Sequence, residues 1–99
     1  MNPWHATSPK SRLQPGSLNV LHTDPDGWSI ATMLWNSEPW ASDHQLVYGL
    51  RWDGDVGDVN DLGNPVSRSY GTWFVLPDAV AQAALAAAPS GKLSPAPRP

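Results

Sequence analysis

The alternation of polar and apolar positions divides the chain into four strand-like runs and one helical run between proline-punctuated ends. Leu18-Asn19-Val20-Leu21-His22 precedes Asp24-Pro25-Asp26-Gly27, and Trp28-Ser29-Ile30-Ala31-Thr32-Met33-Leu34-Trp35 follows, rich in β-formers. This predicts a hairpin, because proline presets φ at a turn's first central residue and Gly27 can take the positive φ that rejoins a twisted strand. After a connection holding Glu38-Pro39-Trp40, a third strand is expected over His44 to Trp52. Its period places His44, Leu46, Tyr48, Leu50 and Trp52 on a core face and Gln45, Val47, Gly49 and Arg51 on the other. Thr72-Trp73-Phe74-Val75-Leu76 is apolar without alternation, which points to a fourth strand that is central or covered on both faces. Asp78 is then expected to cap a helix over Ala79 to Ala88, stopped by Pro89, whose small side chains bring its backbone close to the sheet. The expected fold is therefore α+β: a small antiparallel sheet of about four strands with one C-terminal helix packed on it.

Composition sharpens the boundaries. Seven of the 11 prolines lie in residues 1–15 and 89–99, where apolar residues are too sparse to offset ordering entropy, so both ends read as flexible tails around a single domain, residues 16–88. Lys10, Arg12, Lys92 and Arg98 make these tails basic. Residues 16–88 hold all nine carboxylates against Arg51 and Arg68, a balance of −7 beneath the formal net charge of −3. Such a centre disfavours direct nucleic-acid binding and favours a partner with a basic surface. With no apolar run long enough for a membrane span and no leader-like opening, the expected compartment is the cytoplasm. The absence of cysteine excludes disulfides, zinc–thiolate sites and thiol catalysis. Trp28, Trp35, Trp52 and Trp73 are the expected core anchors, and in so small a core a homodimer covering an open sheet edge is a natural addition.

The most unusual segment is Asp53-Gly54-Asp55-Val56-Gly57-Asp58-Val59-Asn60-Asp61-Leu62-Gly63-Asn64-Pro65, too long for an ordinary hairpin loop. Its oxygens suggest calcium, held if at all by Asp53, Asp55 and Asp58. The register of a helix-loop-helix calcium site fails, however: Asp58 stands where glycine is required and Asn64 where a bidentate glutamate is required. No cofactor is therefore expected, with calcium as the alternative. Carboxylate pairs in a glycine-rich run have no enclosure to raise one pKa, His5, His22 and His44 form no metal pair, and no Gly-x-Ser-x-Gly elbow occurs, so catalysis is not expected. Arg51, Trp52, Arg68 and Tyr70 bracket the loop with the residue types that dominate interfaces, although either arginine could instead neutralise the loop aspartates. Trp40 is a second aromatic contact candidate on a polar connection, or else a cap on a core edge.

Tyr48-Gly49-Leu50-Arg51-Trp52-Asp53-Gly54, Gly63-Asn64-Pro65-Val66-Ser67-Arg68 and Thr72-Trp73-Phe74-Val75-Leu76-Pro77 resemble a family of small uncharacterised bacterial proteins. That family's pattern is Arg-Trp-Asn/Asp-Gly, a variable insert, Gly-x-Pro-x-Ser-Arg and Thr-Trp-Phe, and the similarity covers about residues 44–85. It implies a bacterial or phage origin and no particular activity, and the aspartate-rich insert is longer here than in the pattern. The function expected is a non-enzymatic protein-binding module, an inhibitor or adaptor. Asp53, Asp55, Asp58 and Asp61 would stand in for phosphates, with Arg51, Trp52, Arg68, Tyr70 and Trp40 on the contact surface. A phage or mobile-element protein that blocks a nucleic-acid-binding machine is one concrete form. A divalent-cation or small-ligand binding protein is the first alternative, and a small hydrolase the second.

Overall fold

The Asp24-Pro25-Asp26-Gly27 segment makes the expected turn. Gly27 has φ +101°, its amide donates to the Asp24 carbonyl at 2.9 Å, and the Asp24 amide donates to the Trp28 carbonyl at 2.7 Å. In the computed structural model, which describes residues 1–99, this turn joins β1 (Asn19–Thr23) to β2 (Trp28–Trp35). Strand β3 (Gln45–Trp52) pairs antiparallel with β2 along its whole length, from Trp28 opposite Trp52 to Trp35 opposite Gln45. A two-residue ribbon, β4 (Val66–Ser67) and β5 (Tyr70–Gly71), precedes β6 (Phe74–Leu76), which pairs with β3 and completes a sheet of order β1-β2-β3-β6. Helix α1 (Asp78–Ala86) packs against β2 and β3, so the α+β architecture is the one expected. No helix is long and apolar enough to cross a membrane.

Four local expectations are corrected. The fourth strand is an edge rather than a central strand: Trp73 and Thr72 are buried just before it, whereas Phe74 and Val75 within it are exposed. Asp78 does not cap the helix through its side chain. Pro77 holds the cap position and Asp78 is the first helical residue, where its charge still favours the positive end of the helix dipole. The two faces of β3 are exchanged relative to the expected ones. Gly49 and Arg51 are buried and Val47 half-buried, while Leu46 and Trp52 on the other face are 71% and 55% exposed. Trp52 is accordingly no core anchor; Trp73 is, with Trp28 and Trp35 half-buried.

The N-terminal segment causes this exchange. Residues 1–15, expected as a flexible tail, lie across the Gly49–Arg51 face: Ala6 and Leu13 are buried and join Leu18, Val20, Ala31, Met33 and Trp73 in one core cluster. Past the end of β1 the Gln14 amide donates to the Leu34 carbonyl at 3.0 Å and the Asn36 amide to the Arg12 carbonyl at 2.7 Å, so this segment takes over the edge of β2. Trp73 donates its indole N–H to the Ala6 carbonyl at 2.7 Å. Gly49 permits this closure, since a Cβ there would lie 2.6 Å from Met33 Cε and 2.9 Å from Trp73 Cβ.

The C-terminal segment is exposed but attached. The Thr23 amide donates to the Ser94 carbonyl at 3.0 Å, and the Ser94 amide donates to His22 Nδ1 at 2.9 Å. His22 Nδ1 thus acts as acceptor, which leaves its Nε2 to donate to Asp24 Oδ1 at 3.0 Å. Asp24 is held below its ordinary carboxyl value first by that bond and then by the Asp26 amide. Farther along, Trp4 donates its indole N–H to the Ala96 carbonyl at 2.6 Å, and the Arg98 guanidinium stands 4.1 Å from the Trp4 ring centroid.

Candidate docking groove and the acidic loop

Arg51 and Asp53, both placed on the contact surface by the sequence, are instead interior groups. Their side chains are fully buried and paired at 3.0 Å, Arg51 Nε to Asp53 Oδ1. The remaining guanidinium N–H groups donate to the Thr72 carbonyl at 2.6 Å and to the Leu62 carbonyl. Asp53 Oδ2 accepts the Ser29 hydroxyl at 2.5 Å. Burial pushes the Arg51 guanidinium down from its ordinary value and the Asp53 carboxyl up, in the second case against the Ser29 bond and the Arg51 charge. Those satisfied bonds offset much of the desolvation, and the pair clamps the start of the long loop to its end. The physical reason for the correction is the exchanged face of β3: odd positions 49 and 51 point into the core, and Asp53 follows them inward.

The rest of the aspartate-rich loop is folded on itself. Asp55 Oδ1 accepts the Gly57 amide at 2.9 Å, Asp58 Oδ1 the Asn60 amide at 2.9 Å, and Asp61 accepts the Asp55 amide at 2.9 Å and the Gly63 amide at 3.1 Å. These are Asx turns, in which a short carboxylate substitutes for a backbone acceptor. The two amides hold Asp61 below the ordinary carboxyl value. The amino group of Met1 donates to the Asp53 and Asp55 carbonyls at 2.8 and 2.7 Å, adding a positive charge beside the loop. Asp55 and Asp58 are exposed, Asp61 half-buried and Asp53 buried, so the four carboxylates do not form one surface. No group of three or more His, Cys, Asp or Glu side chains is placed to share a metal ion. Asp53, the first of the three suggested calcium ligands, faces away from Asp55 and Asp58 into its ion pair.

Trp52 leads instead to a feature that the residue patterns did not single out. The face of the sheet opposite the core cluster carries Trp28, Ile30, Leu50 and Trp52 in register. Ile30 is fully buried on this face, but helix α1, which packs on β2 and β3, leaves much of the rest open because its side chains are mostly methyl groups. A groove of about 530 Å³ is left, lined by Trp28, Leu50, Trp52, Phe74, Ala84 and Ala87 with Arg51 the one polar lining residue. Trp52 and Phe74 are each 55% exposed at it. At the Trp28–Trp52 end the sheet runs directly into the Asp24–Gly27 turn and the acidic loop, tied by the Asp53 amide donating to the Gly27 carbonyl at 2.7 Å. Asp26 on that turn and Asp55 and Asp58 on that loop are exposed. The signal for this groove was present in the sequence: an alanine helix following aromatic strands has too little volume to cover them.

The other nominated residues lie elsewhere. Trp40 is 83% exposed on the β2–β3 connection and lines no part of the groove. Arg68 and Tyr70 belong to the β4–β5 ribbon and face a different cleft, with Thr7, Ser8 and Lys10. Arg68 and Ser69 form the ribbon's two-residue turn at φ +49° and +68°, a left-handed conformation that costs non-glycine residues on the order of 1 kcal/mol or more each. Comparison of the chain with protein-family models, with curated proteins and with solved structures yields no match.

Proposed function

We propose that this protein is a non-enzymatic protein-binding module, an inhibitor or adaptor, that takes an apolar side chain of a partner protein into the Trp28–Trp52–Phe74 groove and neighbouring basic residues onto the exposed carboxylates of the adjoining turn and loop. The observation that carries this reading is the pair of half-exposed rings, Trp52 and Phe74, lining an apolar cavity. Large aromatic rings at an apolar pocket with a polar rim are the composition of interface hot spots, and exposed apolar surface of this kind carries a cost in water that a partner removes. The charge on this turn and loop selects among partners, since Asp26, Asp55 and Asp58 attract Lys and Arg and repel acidic segments. A nucleic-acid-binding protein is one source of such a basic segment.

Random-peptide display against the full chain tests the reading. Enriched peptides are expected to pair an aromatic or branched aliphatic residue with Lys or Arg, and to lose about thirtyfold in affinity to a Trp52→Ala/Phe74→Ala variant, the loss of a hot-spot contact. Raising salt should weaken them further. No enrichment, enrichment of acidic peptides, or undiminished binding to the double variant overturns the proposal. Asp55→Asn and Asp58→Asn complete the test, because asparagine keeps the Asx acceptor while removing the charge.

A further inference from the structure

We infer that the cleft between residues 7–10 and the β4–β5 ribbon is a binding site for a phosphate monoester, separate from the docking groove. It measures about 450 Å³ and is lined by Thr7, Ser8, Pro9, Lys10, Ser67, Arg68 and Tyr70. The volume falls in the range of small-ligand sites. Its two walls are joined where the Ser8 amide donates to the Gly71 carbonyl at 3.4 Å. In a chain of net charge −3, this cleft brings together two cations and four hydroxyl side chains with no carboxylate among them. No acidic residue occurs in residues 1–23 or 62–77, the two stretches that build it. The ion pairs of the fold are His22–Asp24 and Arg51–Asp53, so Lys10 and Arg68 keep their charges for a ligand.

The donor set matches a tetrahedral dianion. Arg68 can meet two oxygens with its planar fork, Lys10 supplies a point charge, and the hydroxyls serve the remaining oxygens. A carboxylate would be satisfied by the arginine alone. Tyr70, 66% exposed at the mouth, offers a ring face to whatever the phosphate is attached to. A second observation is independent of the cleft's lining. The turn that presents Arg68 has Arg-Ser in left-handed positions where Asn-Gly is the stable choice. This is the one place where two successive non-glycine residues take positive φ, and the first of them points a charged side chain to the cleft lining, which fits a turn shaped for contact rather than for stability.

Amide chemical shifts of the full chain, titrated with inorganic phosphate, adenosine monophosphate, adenosine and acetate, test this inference. Saturable shifts at Ser8, Lys10, Arg68, Ser69 and Tyr70 are expected with phosphate and adenosine monophosphate below about 10 mM. Tighter binding of the nucleotide would assign the phosphate to an aromatic-bearing ligand, and equal binding would assign it to free phosphate. A Lys10→Ala/Arg68→Ala variant should lose about tenfold or more in affinity. The Arg68→Asn/Ser69→Gly variant separates binding from folding: its Tm should rise by about 4 °C or more while phosphate binding falls. Absence of saturation, shifts confined to other residues, equal responses to adenosine or acetate, or unchanged affinity in the double alanine variant each overturn the inference.

Discussion

The two faces of one sheet have opposite fates. The face carrying Ser29, Ala31, Met33, Gly49 and Arg51 is closed by the N-terminal segment and Trp73, with no space for a methyl group at Gly49 and a buried ion pair at its end. The face carrying Trp28, Ile30, Leu50 and Trp52 is roofed by an alanine helix and keeps a groove. Both faces contain large apolar residues. What separates them is the volume that the covering segment supplies: Leu13, Leu18 and Trp73 fill one side, whereas Ala84 and Ala87 leave the other unfilled. The difference predicts that substitutions sort by face: those on the closed face should cost stability, and those on the open face should act on the proposed contact.

The largest expected effect lies on the closed face. Asp53→Ala leaves the Arg51 guanidinium buried without its counter-ion and should cost about 3–5 kcal/mol, read as a lower urea midpoint. A change below about 1 kcal/mol would show that the network is not what holds the loop's ends together. Next comes Gly49→Ala, for which the Trp73 Cβ cannot yield as a flexible side-chain tip would. Overpacking of this kind costs about 1–3 kcal/mol, again by urea unfolding, and wild-type stability would show that the closed face has slack.

On the open face the sign reverses. Ala84→Leu fills the groove from the helix side and should stabilise by about 1 kcal/mol, since each buried methylene contributes roughly 0.8 kcal/mol. The same variant should lose the peptides selected on the groove. Stabilisation with retained binding would place the partner site outside Trp28, Trp52 and Phe74.

The smallest effect is the acid limb of the stability curve. Asp24, Asp43 and Asp61 are held below 3.8, the first mainly by His22, the second by Ser37 and the third by the Asp55 and Gly63 amides. Each therefore supports the folded state above that value, and its contribution is lost as pH falls below 3.8 through its folded value. Asp53, pushed upward by burial, has the opposite sign: its contribution is greatest below 3.8 and is lost as pH rises through its folded value. Asp61→Asn should make the urea midpoint less dependent on pH below 3.8, and an unaltered acid limb would assign that limb to the other two carboxylates.

Several features were legible in the residues alone. Proline and glycine at positions 25 and 27 specify a turn through backbone sterics, the β-formers of Trp28–Trp35 specify a strand, and Pro77 and Pro89 bound a helix, all of which are local effects. The aspartate and glycine content of residues 53–65 likewise marked a long loop built from Asx turns. The candidate site was legible only in part. Trp52 lines the groove, Arg51 borders it with its side chain buried in the pair with Asp53, the exposed Asp55 and Asp58 lie on the adjoining loop, and Arg68 with Tyr70 belongs to another cleft.

What the tertiary structure decided was which side of β3 is the inside. Alternation along a strand defines two faces but carries no label for the one that will be covered, since Leu46, Leu50 and Trp52 are as apolar as any core set. That choice was made by Ala6, Leu13 and Leu18, remote in the chain, packing in one cluster with Ala31, Met33 and Trp73, the last two of which close over Gly49, while Arg51 and Asp53 pair in the interior. Burial depends on what packs against a face, and the packing partner is a long-range property that no local period contains.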